Sequence, residues 1–253
     1  MSGRLSIVGL GPGPAEWMTP EAGAAIAAAT DVVGYGPYVE RLALHSGQRA
    51  HASDNRAELA RARLALALAA EGRAVALVSG GDPGVFAMAA ALFEAIEEEK
   101  RWQALDVSVV PGVSAMQAAA ARLGAPLGHD FCAISLSDNL KPWAIVERRL
   151  KAASEGDFVI ALYNPASKAR PSRIFEAFDL LRNVRSAATP VAFARAVGRP
   201  NEKLTITTLG AADVSLVDMA TLVIVGSSET RLIAREGGRG PWILTPRTYG
   251  AAR

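Results

Sequence analysis

Leu5-Ser6-Ile7-Val8-Gly9-Leu10-Gly11-Pro12-Gly13-Pro14 is a short apolar strand running straight into a glycine and proline loop. The stretch resembles the dinucleotide fingerprint G-x-G-x-x-G, whose third glycine lets helix and strand pack closely. Gly9 and Gly11 meet that spacing, but Pro14 occupies the third position, and Pro12 and Gly13 stiffen the turn. The next helix is expected to start at Thr19-Pro20-Glu21, an N-cap hydroxyl followed by proline at the first helical position. A pyrophosphate would therefore find no helix N-terminus at this loop. The loop is read as a ligand loop, but not one for NAD.

Outward from this stretch, short apolar runs alternate with helical patterns. Strands are expected at residues 5–10, 32–33 with their flanks, 74–79, 107–110, 132–136, 158–163, 191–194, 204–208 and 221–225. Helices are expected at 20–29, 56–71, 85–100, 114–123, 142–153 and 171–182. Asn55 and Glu58 have capping-box spacing, and Gly72 stands where a helix would stop. The alternation predicts an α/β fold with largely parallel sheets. A break near Pro111-Gly112 divides it into two αβα domains, residues 1–113 and 114–253.

Composition narrows the class. Half of the 253 residues are apolar and 21% are charged, which suits a globular enzyme. No apolar run reaches the ~18–20 residues that span a bilayer, and Met1-Ser2-Gly3-Arg4 leads into a strand without a leader's apolar region. A membrane partner is not expected, and a cytoplasmic location is. The single cysteine, Cys132, lies in an apolar strand and is read as inert core. The three scattered histidines predict no metal site; His45 and His51 are read as surface. The net charge of +2 hides an asymmetry: residues 1–113 hold 9 basic and 13 acidic residues, and residues 114–253 hold 18 and 12. Such a bias fits either a solvated surface or one that attracts an anionic ligand. No long basic run with interleaved aromatics accompanies it, which argues against nucleic acid.

Four strand ends carry loops of unusual composition: residues 9–14, 79–84, 111–115 and 163–165. In open α/β sheets, ligands bind beyond the carboxyl ends of the strands. Glycine there lets a backbone approach a ligand closely. The segments Gly9-Leu-Gly-Pro-Gly-Pro14, Gly80-Gly-Asp-Pro83, Pro111-Gly-Val-Ser-Ala115 and Ala161-Leu-Tyr-Asn-Pro165 resemble, in order, the signature loops of the tetrapyrrole methylases. Segments 33–38, 127–130, 135–138 with 142–143, 163–168 and 194–199 narrow the resemblance to the branch that methylates C-17 of precorrin-3B on the way to cobalamin. Ser79-Gly80 and Asn139-Leu140-Lys141 depart from the pattern usual there, and the second leaves the side chain near the substrate open.

The resemblance implies two α/β domains with S-adenosylmethionine in a cleft between them, a homodimer, and a substrate bearing eight carboxylates. It implies methyl transfer to C-17 with ring contraction. It places Gly11, Pro12, Gly80, Gly81, Asp82, Val85, Ser114, Ala115, Tyr163, Asn164 and Ala194 at the cofactor. Lys168, Arg170, Arg195 and Arg199, with Arg173 and Lys203 beside them, are candidates for gripping substrate carboxylates. Asp82 also suits a plain turn, and Ser114 also suits a helix cap. His129 is the first candidate for acid/base work and Asp138 the second; a surface histidine and a helix-cap carboxylate are the alternatives. Other functions stay open. They are a methylase acting at C-20 or C-11, the cobalt-factor III version of the C-17 step, an NAD-dependent oxidoreductase, and a non-catalytic scaffold.

Overall fold

The structure is a computed structural model that describes residues 3–249 except 56, 168, 169 and 239. The chain forms two compact units, Met1–Ala115 and Met116–Arg253. Both are layers of sheet and helix, so the α/β class is borne out.

Unit 1 runs β1 (Arg4–Gly9), α1 (Pro20–Ala27), β2 (Asp31–Tyr35), α2 (Gly36–Val39), β3 (Arg49–Ser53), α3 (Glu58–Ala70), β4 (Ala74–Ser79), α4 (Met88–Glu98) and β5 (Asp106–Val110). Its sheet has the order β3-β2-β4-β1-β5 and every pairing is parallel. Strands buried on both faces read as unbroken apolar runs, as Leu5, Ile7, Val8 and Val75 to Val78 do, all at most 3% exposed. The order reverses around β1, so the loops after β4, β1 and β5 lie side by side at one sheet edge, the switch point where such folds bind ligands.

Helix ends follow their sequence signals where a side chain or glycine can act. Thr19 Oγ1 accepts from the Ala22 amide at 3.1 Å, with Pro20 opening α1. Gly72, at φ +87°, ends α3. Its amide donates to Ala69 O at 3.0 Å and the Arg73 amide to Leu68 O at 3.3 Å, the paired bonds of a Schellman stop. The capping box expected from Asn55 does not form. The helix starts later, at Glu58, and its N-cap Ala57 has no side chain to cap with. Helix α4 also starts late, at Met88 instead of residue 85, because Phe86 takes φ +53° and interrupts the helical path.

His51 is not a free surface group. Its Nε2 lies 2.8 Å from Asp31 Oδ1, and the Arg73 guanidinium is 3.1 Å from the same atom. Thr30 Oγ1 donates to Oδ2 at 2.8 Å. Burial alone would raise the Asp31 carboxyl, but the bonds from His51, Thr30 and Arg73, with the Arg73 charge, outweigh it and hold the group below its usual value. A folded-state value below the unfolded one stabilises above the ordinary carboxylate range and is lost as pH falls through the folded value. Asp31→Asn is therefore expected to cost about 2–3 kcal/mol at neutral pH. Urea unfolding should show that difference shrinking in acid, and a gap that persists there would contradict it.

Unit 2 runs α5 (Ala115–Leu123), β6 (Gly124–Ala125), β7 (Phe131–Ser135), α6 (Trp143–Glu155), β8 (Val159–Tyr163), α7 (Arg173–Val184), β9 (Pro190–Arg195), β10 (Lys203–Thr208), β11 (Thr221–Val225), β12 (Arg231–Ile233) and β13 (Trp242–Leu244). Its main sheet has the order β10-β9-β11-β8-β7. The expectation of a largely parallel sheet fails here: β7 pairs parallel with β8, while β11 pairs antiparallel with β8 and β9, and β10 antiparallel with β9. The physical reason is connection length. Seven residues join β9 to β10, too few for a crossover helix, so the chain turns back as a hairpin. A second small sheet, β12-β13-β6, gathers strands that the sequence reading missed.

Candidate functional site

Three loops at the switch-point edge of unit 1 are bound to one another through their backbones. Gly11 and Gly81, both at positive φ, exchange amide bonds in both directions at 3.1 Å. The Leu10 amide donates to Ser79 O at 2.9 Å. At Gly112 a Cβ would stand 2.4 Å from Gly81 O and 2.9 Å from Gly9 Cα, so only glycine allows the β5 loop to close on the other two. Gly80 is packed under the Tyr38 ring, where a Cβ would lie 2.6 Å from Cζ. The glycines thus serve backbone-to-backbone packing before they serve any ligand.

Asp82 ties this knot. Its Oδ1 accepts from the Gly84 amide at 2.8 Å and its Oδ2 from the Gly112 amide at 3.0 Å, clasping the β4 loop to the β5 loop. Each carboxylate oxygen keeps a further lone pair. Thr19 Oγ1 donates to Pro111 O at 3.4 Å and Arg41 donates to Gly13 O, so the β5 and β1 loops are pinned from outside too. Tyr38, Thr19 and Arg41 were not foreseen as parts of this edge. Each acts across more than twenty residues, and no local spacing announces it. Val85 is half-buried in the turn after the clasp, its amide donating to Asp82 O at 3.3 Å. Ser114 is buried directly ahead of α5.

One part of the edge is open. A Cβ on Gly81 would meet only Val113 O and the Ala115 amide nitrogen, each 3.9 Å away. The space in front of Gly81 is thus lined by a carbonyl and an amide, and a small polar group can enter it. The cofactor candidates Gly11, Pro12, Gly80, Gly81, Asp82, Val85, Ser114 and Ala115 all fall in or beside these three loops. The loop after β1 passes through a 3₁₀ turn, Ala15–Trp17, before α1 begins at Pro20, so no α-helix N-terminus faces it.

In unit 2, β7, β8 and β9 end at one sheet edge, where β10 and β11 begin. Asn164, at φ +51°, turns the chain out of β8 and donates from Nδ2 to Ser135 Oγ at 2.9 Å. Tyr163 Oη accepts from the Met116 amide at 3.0 Å, in the first turn of α5. Ala194 is 1% exposed inside β9, between its partners Leu204 and Leu222, and presents almost no open surface.

The two acid/base candidates are not brought together. Asp138 is at the carboxyl edge, but Arg173 holds its Oδ2 through Nε and Nη2, both at 2.8 Å, and Arg170 Nε lies 3.5 Å from Oδ1. The carboxylate anchors two guanidiniums, and neither a free base nor a helix cap results; the α6 N-cap, Pro142, has no side-chain bond. Arg170 also donates to Leu136 O at 3.2 Å, and the Arg173 guanidinium lies 4.7 Å over the Trp143 ring. His129 precedes β7 and so sits at the opposite sheet edge, roughly 20 Å of strand away from Ser135. There its Nδ1 accepts from the Asp130 amide at 2.8 Å, and its ring packs on Tyr249 at 4.8 Å. Its neighbour Tyr249 donates to Asp157 Oδ2 at 2.7 Å, which makes this edge a fastening for the C-terminal segment.

Of the other basic candidates, Arg195 donates to Asp218 Oδ2 at 2.8 Å and Arg199 is exposed. Lys168 lies outside the described residues. Cys132 is partly buried in β7, and burial pushes its thiol pKa up, which suits an unreactive group. Among the described residues no His, Cys, Asp and Glu cluster could hold a metal, and no helix is long and apolar enough to cross a membrane.

Comparison with known proteins gives these edges a context. The family model of the Tetrapyrrole (Corrin/Porphyrin) Methylases matches residues 4–213. The chain is 57% identical over 253 residues to a precorrin-3B C(17)-methyltransferase of Sinorhizobium sp, covering 100% of this chain and 99% of that one. It is 46% identical to the cobalamin biosynthesis protein CobIJ of Mycobacterium tuberculosis, matching over 100% of this chain but spanning only 49% of that longer protein. Among solved structures, the methyltransferase CobJ superposes with a TM-score of 0.92 at 50% identity, over 97% of this chain and 100% of that one. A uroporphyrin-III C-methyl transferase from Thermus thermophilus, complexed with S-adenyl homocysteine, gives a TM-score of 0.67 at 25% identity, over 88% of this chain and 97% of that one. A match this long, with a full-length relative at such identity, fixes the kinship of the knotted glycine loops: the chain belongs to the tetrapyrrole methylases.

Proposed function

We propose that the chain transfers a methyl group from S-adenosylmethionine to C-17 of precorrin-3B, with contraction of the ring to precorrin-4. The observation that carries the cofactor half is the open space before Gly81, lined by Val113 O and the Ala115 amide. A carbonyl and an amide side by side match the ammonium and carboxylate of an amino acid, the methionine part of that cofactor. The lone pairs that Asp82 retains face the same need for an acceptor. Tyr163 and Asn164 are proposed as further cofactor residues, while Ala194, closed in between its strand neighbours, is not. The full-length relative named for the C-17 reaction supports the substrate half.

When bound, S-adenosylmethionine supplies an electrophilic methyl on a sulfonium. The protein's own part is positioning, and orientation of this kind removes about 7–11 kcal/mol from a bimolecular barrier. The clasped loops suit that work, because the bonds that hold them run between the protein's own groups. Arg170, Arg195 and Arg199 are proposed to receive substrate carboxylates, with Asp138 holding Arg170 and Arg173 in place.

Calorimetry tests the reading. S-adenosylhomocysteine should bind and NADH should not; the reverse would sink the proposal. Asp82→Ala, which opens the clasp on both sides, is expected to weaken S-adenosylhomocysteine by roughly 10-fold or more, the worth of charge-assisted amide bonds. An unchanged affinity would show that the loops hold without it. Salt separates the two ligands further. Contacts between carboxylates and exposed guanidiniums are screened over ~8–10 Å at physiological ionic strength, so tetrapyrrole affinity should fall with salt and cofactor affinity much less. Equal sensitivity would count against a basic substrate surface.

A further inference from the structure

The hairpin of β9 and β10 sets Arg195 directly opposite Lys203. Like charges in facing cross-strand positions repel and weaken the sheet. Thr221 stands on the other side of Arg195, in register, so a row of Lys203, Arg195 and Thr221 crosses three strands. The same face continues through Thr205 and Phe193, which are also register partners. The segment that returns to β11 walls this face with Leu216, which is 52% exposed. Together these side chains line a concave groove of about 320 Å³.

The acids nearby neutralise only one of its two basic charges. Asp218 is engaged with Arg195 through one oxygen. Glu202, beside Lys203 in sequence, turns instead to Arg122 at 3.1 Å and to the Gly198 amide. Among the described residues no carboxylate pairs with Lys203. Two basic residues in facing positions that line one groove and share one counter-charge leave room for an anion to supply the other. Leu216, half exposed beside them, adds apolar surface, which an inorganic anion cannot use but a carboxylate on a methylene arm can.

We propose that this groove takes carboxylate side arms of the tetrapyrrole, with Lys203 and Arg195 binding the charge and Leu216 packing on the methylenes. The proposal rests on the methyltransferase reading for its substrate. Lys203 becomes a substrate-affinity residue.

The test compares wild type with Lys203→Gln and Lys203→Glu. Both variants relieve the repulsion with Arg195, so their thermal midpoints should equal or exceed that of wild type. KM for precorrin-3B should rise roughly 5- to 20-fold for Lys203→Gln, in the range of one charge-assisted hydrogen bond, and further for Lys203→Glu. The kcat and the S-adenosylhomocysteine affinity should hold, and the salt dependence of KM should become shallower. Unchanged KM and salt dependence in Lys203→Glu, with wild type active, would overturn the groove. Binding of uroporphyrin, followed by fluorescence, keeps the two proposals apart. If wild type makes no methylated product yet binds this porphyrin more tightly than Lys203→Glu does, the groove stands and the reaction fails. If Lys203→Glu binds it equally well, the groove falls, and inorganic phosphate weakening both proteins equally would identify a non-specific anion effect.

Discussion

Gly112→Ala is expected to remove cofactor binding and to cut methyl transfer by roughly 10²-fold or more, the scale at which a 1 Å misplacement acts. The added Cβ would lie 2.4 Å from Gly81 O and 2.9 Å from Gly9 Cα. Both are backbone atoms, so no side chain can swing aside, and the β5 loop must retreat. Retreat breaks the bond from the Gly112 amide to Asp82 and widens the space before Gly81. Gly23→Ala is the control. Its Cβ would meet only Met18 Cε at 3.9 Å, within α1, and the change should be neutral or stabilising by about 0.5–1 kcal/mol. Calorimetry with S-adenosylhomocysteine reads both variants. A Gly112→Ala protein that binds as wild type does would show that the interlocked loops are not the cofactor site.

Arg185→Met carries the largest expected loss of stability, and in unit 2. Arg185 is 9% exposed, and its guanidinium donates to Ala153 O at 3.1 Å, Phe158 O at 2.6 Å and Gly226 O. One side chain thus satisfies carbonyls from the end of α6, the start of β8 and the end of β11. Burial pushes its pKa below the usual arginine value, with Asp157 partly opposing that shift. Methionine fills the volume but donates nothing, and each orphaned buried carbonyl costs about 1–3 kcal/mol. Ala153 O keeps the Phe158 amide at 3.1 Å, so two carbonyls are orphaned and a loss of roughly 2–6 kcal/mol is expected. Hydrogen exchange should show β8 and β11 amides opening early, with the β1 and β4 amides of unit 1 unaffected. A variant with wild-type exchange in unit 2 would mean that water replaces the guanidinium at no cost.

What was legible in the sequence was legible because the signal is local. The strand into Gly9, the Thr19 cap with Pro20 and the stop at Gly72 each act within a few residues, and each appears as read. The strands β4 and β11 are continuous apolar runs and match their expected bounds. Arg49–Ser53 escaped notice because this edge strand, paired on one side only, alternates Arg, His and Ser with nothing larger than alanine. The direction of unit 2's strands escaped because a residue pattern encodes burial, while strand direction follows from how far a connection reaches.

The site divides along the same line. The glycine loops were found from their composition, but their mutual clasp was not, because Asp82 reaches Gly112 across thirty residues. Asp138 looked available in the sequence and is instead held by Arg170 and Arg173, more than thirty residues downstream. His129 was the first candidate because its loop follows the break between the two halves, near the expected cleft, yet loops occur at both edges of a sheet. Only the pairing of β7 with β8 reveals that it stands at the edge away from Asn164.

The most direct measurement follows the methyl group itself. Purified protein is incubated with precorrin-3B and S-adenosylmethionine carrying an isotope-labelled methyl, and the product is read by mass and by NMR. The expected product carries one labelled methyl at C-17 on a contracted ring, formed in step with S-adenosylhomocysteine. Label at C-20 or C-11, or unmethylated precorrin-3B recovered alongside intact S-adenosylmethionine, would contradict it.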